Sequence, residues 1–313
     1  MRNQETVLVT GGNGYIGNHL VQKLIAMGKF RVFSLDIQST SNTKGLNVEH
    51  LTCDLTKYDQ VLGLPDFDYI FHLAAINGTQ RFYAEPWNVF YNSLVSTINL
   101  IEKFKSSTRL NRFVYTSSSE VYADRFIYKN FSSKSNESIG VGFNDVLNPR
   151  WSYGGAKLAG EIALNSAFHE YKLPFTILRY HNVYGPAMGP NHVIPDFIAR
   201  GRKGIFSLAG SENVRSFIYV SDAIEATILS SFSENTVGKI VHIGNEDPVS
   251  MMDLAKLIMR LAGWSGKIVV EDAPSGSTSF RCPDVGFLRK LGFSPTIDLA
   301  SGIKQVLSKS DDQ

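Results

Sequence analysis

Cysteine is almost missing from this chain: Cys53 and Cys282 are the only two in 313 residues. They supply neither a disulfide framework nor a metal-ligand spacing, so no metal is expected. Each reads as a small buried apolar residue rather than a reactive thiol. An excess of one charge is missing as well. Lys plus Arg number 31 against 29 Asp plus Glu, a net +2, so no strong field points to nucleic acid. No apolar run reaches the roughly 18 residues that span a bilayer, and no membrane partner is expected. The chain enters a core strand pattern by about Thr6, which leaves no room for a signal peptide, and a cytoplasmic location is the expectation. There is no internal repeat, low-complexity tract or long linker. What remains, 43% hydrophobic and 19% charged, suits a soluble globular enzyme of one large domain or two lobes.

Strand and helix patterns alternate through the first 180 residues. Strands are predicted at 7–10, 31–35, 48–51, 69–73, 112–116 and 175–180, with helices near 15–27, 87–104 and 153–170. That alternation predicts an α/β fold, a doubly wound parallel sheet with helices on both faces. After Arg179 the regularity fails, with Pro186, Gly189, Pro190 and Pro195 close together. Short elements follow: helix 194–202, strand 216–220, helix 222–231, strand 239–243, and helices 251–261, 285–291 and 299–307. The expected organisation is a cofactor domain over 1–180, with 216–246 returning to it. Residues 181–215 and 247–313 then form a smaller mixed α/β substrate lobe. The long polar segment Asp124–Pro149 suits a lid or a substrate wall.

Gly11-Gly12-Asn13-Gly14-Tyr15-Ile16-Gly17 lies between the first strand and the first helix. Strand, glycine-rich turn and helix in that order make a pyrophosphate cradle of the Rossmann type. Gly11 suits the tight turn, Gly14 lets backbone approach phosphate, and Gly17 lets the helix pack on the strand. Asn13, Tyr15 and Ile16 complete the loop. Asp36, nineteen positions after Gly17 at the end of the second strand, would accept the ribose diol and repel a 2′-phosphate. NAD is therefore expected over NADP.

Tyr153 and Lys157 stand four apart on one helix, hence on one face. A phenol is a poor base at its usual pKa of about 10. A neighbouring ammonium and a positive nicotinamide would both favour the phenolate. Ser117-Ser118-Ser119-Glu120 ends the strand 112–116, at the carboxyl edge where such sheets bind ligands.

Together these segments resemble the NAD-dependent epimerase/dehydratase family of extended short-chain dehydrogenase/reductases. The resemblance rests on Thr10 to Gly17, Asp54-Leu55, His72-Leu73-Ala74-Ala75, Ser117 to Tyr122, Tyr153 with Lys157, Arg179 to Pro186, and Arg215 to Asp222. It implies that Asp54 holds the adenine amino group, beside Leu55. It implies that Leu73, Ala74 and Ala75 line the cofactor. Ser118 would orient the sugar hydroxyl, Tyr153 remove its proton, and Lys157 bond the nicotinamide ribose. Ser119 and Asn182 would contact the sugar nucleotide, with Arg215 and Arg281 gripping its diphosphate. Guanidinium groups suit phosphate oxygens, although a plain surface ion pair is the alternative for both arginines. The chain departs from the family pattern at Ser93, Ser96, Ala123 and Ala187.

The implied substrate is a nucleoside-diphosphate sugar, oxidised transiently at C4. An epimerase is the first expectation. Glu120 keeps a decarboxylase or a 4,6-dehydratase open, because it could serve as acid or base. A net dehydrogenase and a non-catalytic NAD-binding module are the remaining alternatives. The helices 87–104 and 153–170 read as apolar nearly all round, which predicts a homodimer through them.

Overall fold

Apolar residues alternate between the two faces of a single parallel sheet, and this alternation sets the layers. The computed structural model describes residues 4–39, 47–123, 134–204, 206–273 and 278–310. The sheet strands are β1 (Glu5–Thr10), β2 (Phe30–Asp36), β3 (Glu49–Thr52), β4 (Tyr69–His72), β5 (Arg112–Ser118), β6 (Phe175–Tyr180) and an edge strand Lys239–Ile243. Their order is β3-β2-β1-β4-β5-β6-edge, and every pair is parallel. In β1, Val7 and Val9 join one core cluster with Leu20, Val21 and Leu24 of helix Tyr15–Ala26. Leu8 faces the other cluster, with Leu100, Ile101 and Phe104 of helix Pro86–Phe104 and Leu164 of helix Ser152–Tyr171. Strands buried on both faces are what a parallel sheet requires.

The first cluster does not stop at the sheet. It continues through Ile194, Phe197, Ile258 and Leu288, so the smaller elements of the second half share the core of the first. Those elements build short sheets of their own. Val214–Ser216 pairs antiparallel with Pro248–Ser250 and parallel with Phe280–Arg281. Ile218–Tyr219 pairs with Val183–Tyr184. The single strand expected over 216–220 is therefore two, because the chain changes sheets at Phe217, and Val220 already begins the helix Val220–Phe232.

Helix Ser152–Tyr171 is not apolar all round. Ile162, Asn165, Ser166, His169 and Glu170 form an exposed stripe, and its buried side carries Lys157 and Glu161. Of the expected lid, residues 124–133 lie outside the described residues. The rest is anchored: Ile139 packs on Val121 and Tyr122, and Ser135 bridges to Pro283. Among the described residues no helix is long and apolar enough to cross a membrane.

Gly160 sets how closely helix Ser152–Tyr171 approaches β5. A Cβ there would sit 2.7 Å from Cζ of the fully buried Tyr115. Gly160→Ala is expected to destabilise the protein by about 1–3 kcal/mol, as overpacking does, measured by urea unfolding. An unchanged midpoint would show that the ring moves freely.

Candidate active site

The glycine loop is built by close approach. Gly11 has φ +68°, and a Cβ on it would meet Ala74 Cα at 2.9 Å. A Cβ on Gly17 would overlap the carbonyl oxygen of Gly11. The helix that follows has Gly14 at its N-cap, with no side-chain cap and no acidic residue in its first turn. Its free N–H groups suit phosphate. Asp36 lies beside the loop and accepts from Asn13 N at 3.1 Å and Gln38 N at 3.3 Å. Under the loop, His72 is buried between Thr10 (Nδ1 to Oγ1, 2.8 Å) and Thr97 (Nε2 to Oγ1, 3.0 Å). Ala74 N donates to Thr10 Oγ1.

Other expected cofactor positions are placed less directly. Asp54 Oδ1 accepts from Thr56 N and Thr56 Oγ1, so one of its oxygens is held within its own turn. The Leu55 side chain is buried with Val61 and Phe67. Tyr15 turns its ring away from the loop: a Cβ on Gly185 would lie 2.6 Å from its hydroxyl. Only its backbone, in the first helical turn, belongs to the cradle. Ile16 is likewise packed against the first core cluster.

The chemistry-bearing side chains meet where β5 ends. Ser118 Oγ accepts from Glu120 N at 3.2 Å and starts a tight helical turn, Ser119–Tyr122. Ser119 is buried in that turn. Helix Ser152–Tyr171 lies against it, and a Cβ on Gly154 would be 2.9 Å from the Glu120 carbonyl oxygen. Tyr153 is stacked on Phe82, centroids 5.1 Å apart. Lys157 is buried with its ammonium 5.7 Å from the Tyr153 ring and 4.8 Å from the Tyr115 ring, and among the described residues its Nζ has no hydrogen-bond partner. Burial pushes Lys157 down to about 7, against the pull of Glu161. Burial, aided by the Glu120 charge, pushes the Tyr153 phenol above its ordinary value. Both directions oppose a phenolate, so the pair is incomplete as it stands. Polar groups on Nζ and a cation beside the phenol are what it lacks. NAD offers both, through its ribose hydroxyls and oxidised ring, and the orphaned Nζ and the glycine cradle fit it.

A network that sequence reasoning missed supports this corner. Arg179 and Glu161 form a buried ion pair (Nε to Oε1, 2.9 Å), and Ser117 Oγ donates to the same oxygen. Arg179 Nη1 donates to the Tyr122 hydroxyl. That hydroxyl lies 2.7 Å from His242 Nε2. His242 Nδ1 is 2.9 Å from the Asp284 carbonyl, which can only accept, so Nδ1 carries the proton and Nε2 accepts from Tyr122. His181, also fully buried, packs edge-on to His242. Tyr122 and Arg179 stood in recognisable motifs, but nothing in the linear pattern pointed to the histidines.

Besides Ser119, the three other expected substrate residues also have definite places. Asn182, at φ +40°, donates from Nδ2 to Ser216 O at 2.9 Å. Arg215 and Arg281 are register partners on adjacent strands, and neither makes a plain surface ion pair. Arg215 donates to the carbonyls of Val214 and Thr278. Burial, with Arg281 nearby, lowers it to about 9. Arg281 Nη1 donates to Glu120 Oε1 at 2.8 Å. A further arginine, Arg150, which carried no role in the sequence reading, donates from Nη2 to the same oxygen at 3.0 Å. Burial alone would raise Glu120, but Arg281 and then Arg150 hold it at about 2. Glu120 is therefore a carboxylate at neutral pH, not a proton donor. Among the described residues no cluster of His, Cys, Asp and Glu could hold a metal.

The seven-stranded parallel sheet and its glycine loop are those of a Rossmann-type dinucleotide-binding protein. The profile of the NAD-dependent epimerase/dehydratase family matches residues 7–244, and the chain belongs to that family. It is 30% identical to a UDP-N-acetyl-alpha-D-glucosaminuronate decarboxylase of Bacillus cytotoxicus, over 96% of each chain. It is 28% identical to a dTDP-D-glucose 4,6-dehydratase of Dictyostelium discoideum, over 82% of this chain and 62% of that protein's length. In structure it is similar to the UDP-glucuronic acid 4-epimerase of Bacillus cereus, solved with UDP-glucuronic acid and NAD. The TM-score is 0.85 at 25% identity, covering 98% of this chain and 99% of that one. The chain is an NAD-dependent enzyme of nucleotide-sugar chemistry, and its relatives include epimerases, decarboxylases and dehydratases.

The buried histidines make stability depend on pH. Burial lowers His242 from 6.5 to about 4. An unfolded chain takes up that proton near pH 6.5, whereas the folded one resists until about 4. Stability from His242 is therefore whole above 6.5 and is lost as pH falls toward 4, by about 3 kcal/mol in full. Urea midpoints at pH 8, 6 and 5 should fall in that order, less steeply in His242→Gln. Parallel profiles for the two proteins would contradict the assignment.

Proposed function

We propose that the enzyme oxidises C4 of a nucleoside-diphosphate sugar and then returns the hydride to the opposite face, as an epimerase. The observation that carries this reading is the convergence of Ser118, Tyr153 and Lys157 at the carboxyl end of β5, beside a glycine loop fitted to NAD. Ser118 holds the C4 hydroxyl in place. Tyr153 would accept its proton and later give it back, and NAD held in the glycine cradle would supply the hydride acceptor. Lys157, bonded to the nicotinamide ribose, keeps its positive charge and with it lowers the phenol. Asp36 holds the adenosine ribose, and Asp54 the adenine. Leu73, Ala74 and Ala75 line the cofactor. Ser119 and Asn182 contact the sugar nucleotide, and Arg215 and Arg281 bind its diphosphate. Residues 181–215 and 247–313 act as the substrate lobe.

Glu120 favours a second reading. An ionised carboxylate next to Tyr153 can act on the keto intermediate, as a base at C5 for dehydration or beside the carboxylate of a uronate for decarboxylation. The resemblance to a decarboxylase over nearly the whole chain supports keeping that outcome. We also propose a homodimer through helices Pro86–Phe104 and Ser152–Tyr171. They pack together and leave Trp87 (71% exposed), Tyr91, Ile98 and Ile162 (60%) at the surface.

Incubation of the NAD-loaded enzyme with UDP-, dTDP-, GDP- and CDP-sugars, read by mass and stereochemistry, separates the outcomes. Unchanged mass with a new isomer means epimerase, loss of water means dehydratase, and loss of carbon dioxide means decarboxylase. Tyr153→Phe should lower turnover about 10²–10⁴-fold, the usual loss of a general base. Normal turnover by that variant, or no reaction with any sugar nucleotide, would overturn the reading.

A further inference from the structure

Arg215 and Arg281 start from paired positions on parallel strands, an arrangement that like charges disfavour. Arg150 adds a third guanidinium. Among the described residues the carboxylate they meet is Glu120, whose Oε1 accepts from both Arg281 and Arg150, while its Oε2 is buried with no hydrogen-bond partner there. Arg215 donates only to carbonyls among the described contacts. Among the described residues, three guanidiniums face one carboxylate, an excess of positive charge that suits a sugar-nucleotide diphosphate.

We infer that Glu120 is a resident stand-in for the substrate's diphosphate, and that binding makes Arg281 exchange Glu120 for phosphate oxygens, leaving that carboxylate to Arg150 alone beside Tyr153. This rests on the nucleotide-sugar reading and adds an order of events to it. The cation that contributes most to holding Glu120 low is Arg281. Once Arg281 turns to phosphate, Glu120 becomes more basic, and it does so only with the nucleotide seated. The carboxylate is thus quiet in the empty enzyme and available once the diphosphate is gripped. The Arg150 pairing keeps it from leaving the site, since the guanidinium is itself fixed over the rings of Phe82 and Trp151.

The exchange makes Glu120 a competitor of the diphosphate. Titration of the NAD-loaded protein with UDP, dTDP, GDP and CDP by calorimetry should show the best nucleotide binding about tenfold tighter to Glu120→Gln than to the native protein. Should that variant not fold, a crystal structure of the native NAD-loaded enzyme with the nucleotide decides. The Arg281 guanidinium should then lie on phosphate oxygens and beyond ion-pair distance, about 4 Å, from Glu120. Equal affinities, or a bound diphosphate with the Glu120–Arg281 pair intact, would overturn the exchange while leaving the nucleotide-sugar reading in place. Binding of no nucleoside diphosphate to either protein would remove that reading and the exchange with it.

Discussion

The site depends on how closely helix Ser152–Tyr171 can lie against β5 and the turn after it. Two glycines allow the approach: Gly154 meets the Glu120 carbonyl, and Gly160 meets the Tyr115 ring. The buried Glu161–Arg179 pair ties the same helix to β6. A helix held this rigidly presents Tyr153 and Lys157 at the carboxyl edge of the sheet, one turn apart. It also buries an ammonium that has no hydrogen-bond partner among the described residues. Burying a charged or polar group unpaired is costly, so the geometry is arranged for a cofactor that supplies the missing bonds.

The arginines around Glu120 show the same principle with the sign of the demand reversed. Among the described residues, Arg150 and Arg281 both pair with that one carboxylate, and Arg215 is the register partner of Arg281 where strands of the second half come together. The shared core explains how those strands are held. The cluster that fixes Val7 and Leu20 also fixes Leu254, Ile258 and Leu288. The sheet and the second half are thus held by one continuous packing, while helix Ser152–Tyr171 packs on the opposite face through Leu164 and Ala167. The Tyr122–His242–Asp284 chain of hydrogen bonds ties the turn after β5 to the edge strand and to the segment after Phe280–Arg281.

Much of this was legible in the sequence because local rules govern it. Short apolar runs alternating with helix patterns marked the sheet strands, and the glycine spacing marked the cradle. The four-residue step from Tyr153 to Lys157 placed both on one helix face. What could not be read depends on partners far apart along the chain. Glu120 and Arg281 are 161 positions apart, so nothing local shows that they pair, or that Arg150 joins them. The strand expected over 216–220 divides because two different sheets claim its ends. Tyr15 sits inside the glycine motif, yet its ring serves the packing around Gly185 and Val220. Side-chain direction at such a position is set by tertiary contact, not by motif.

The account stands on hydride leaving and rejoining carbon without passing through water. The direct test is turnover of a sugar nucleotide deuterated at C4, in ordinary water, followed by mass spectrometry of sugar, cofactor and solvent. The account predicts that the deuterium is recovered on the product sugar, or on NADH if the keto sugar is released. Deuterium appearing in the solvent during turnover would contradict it.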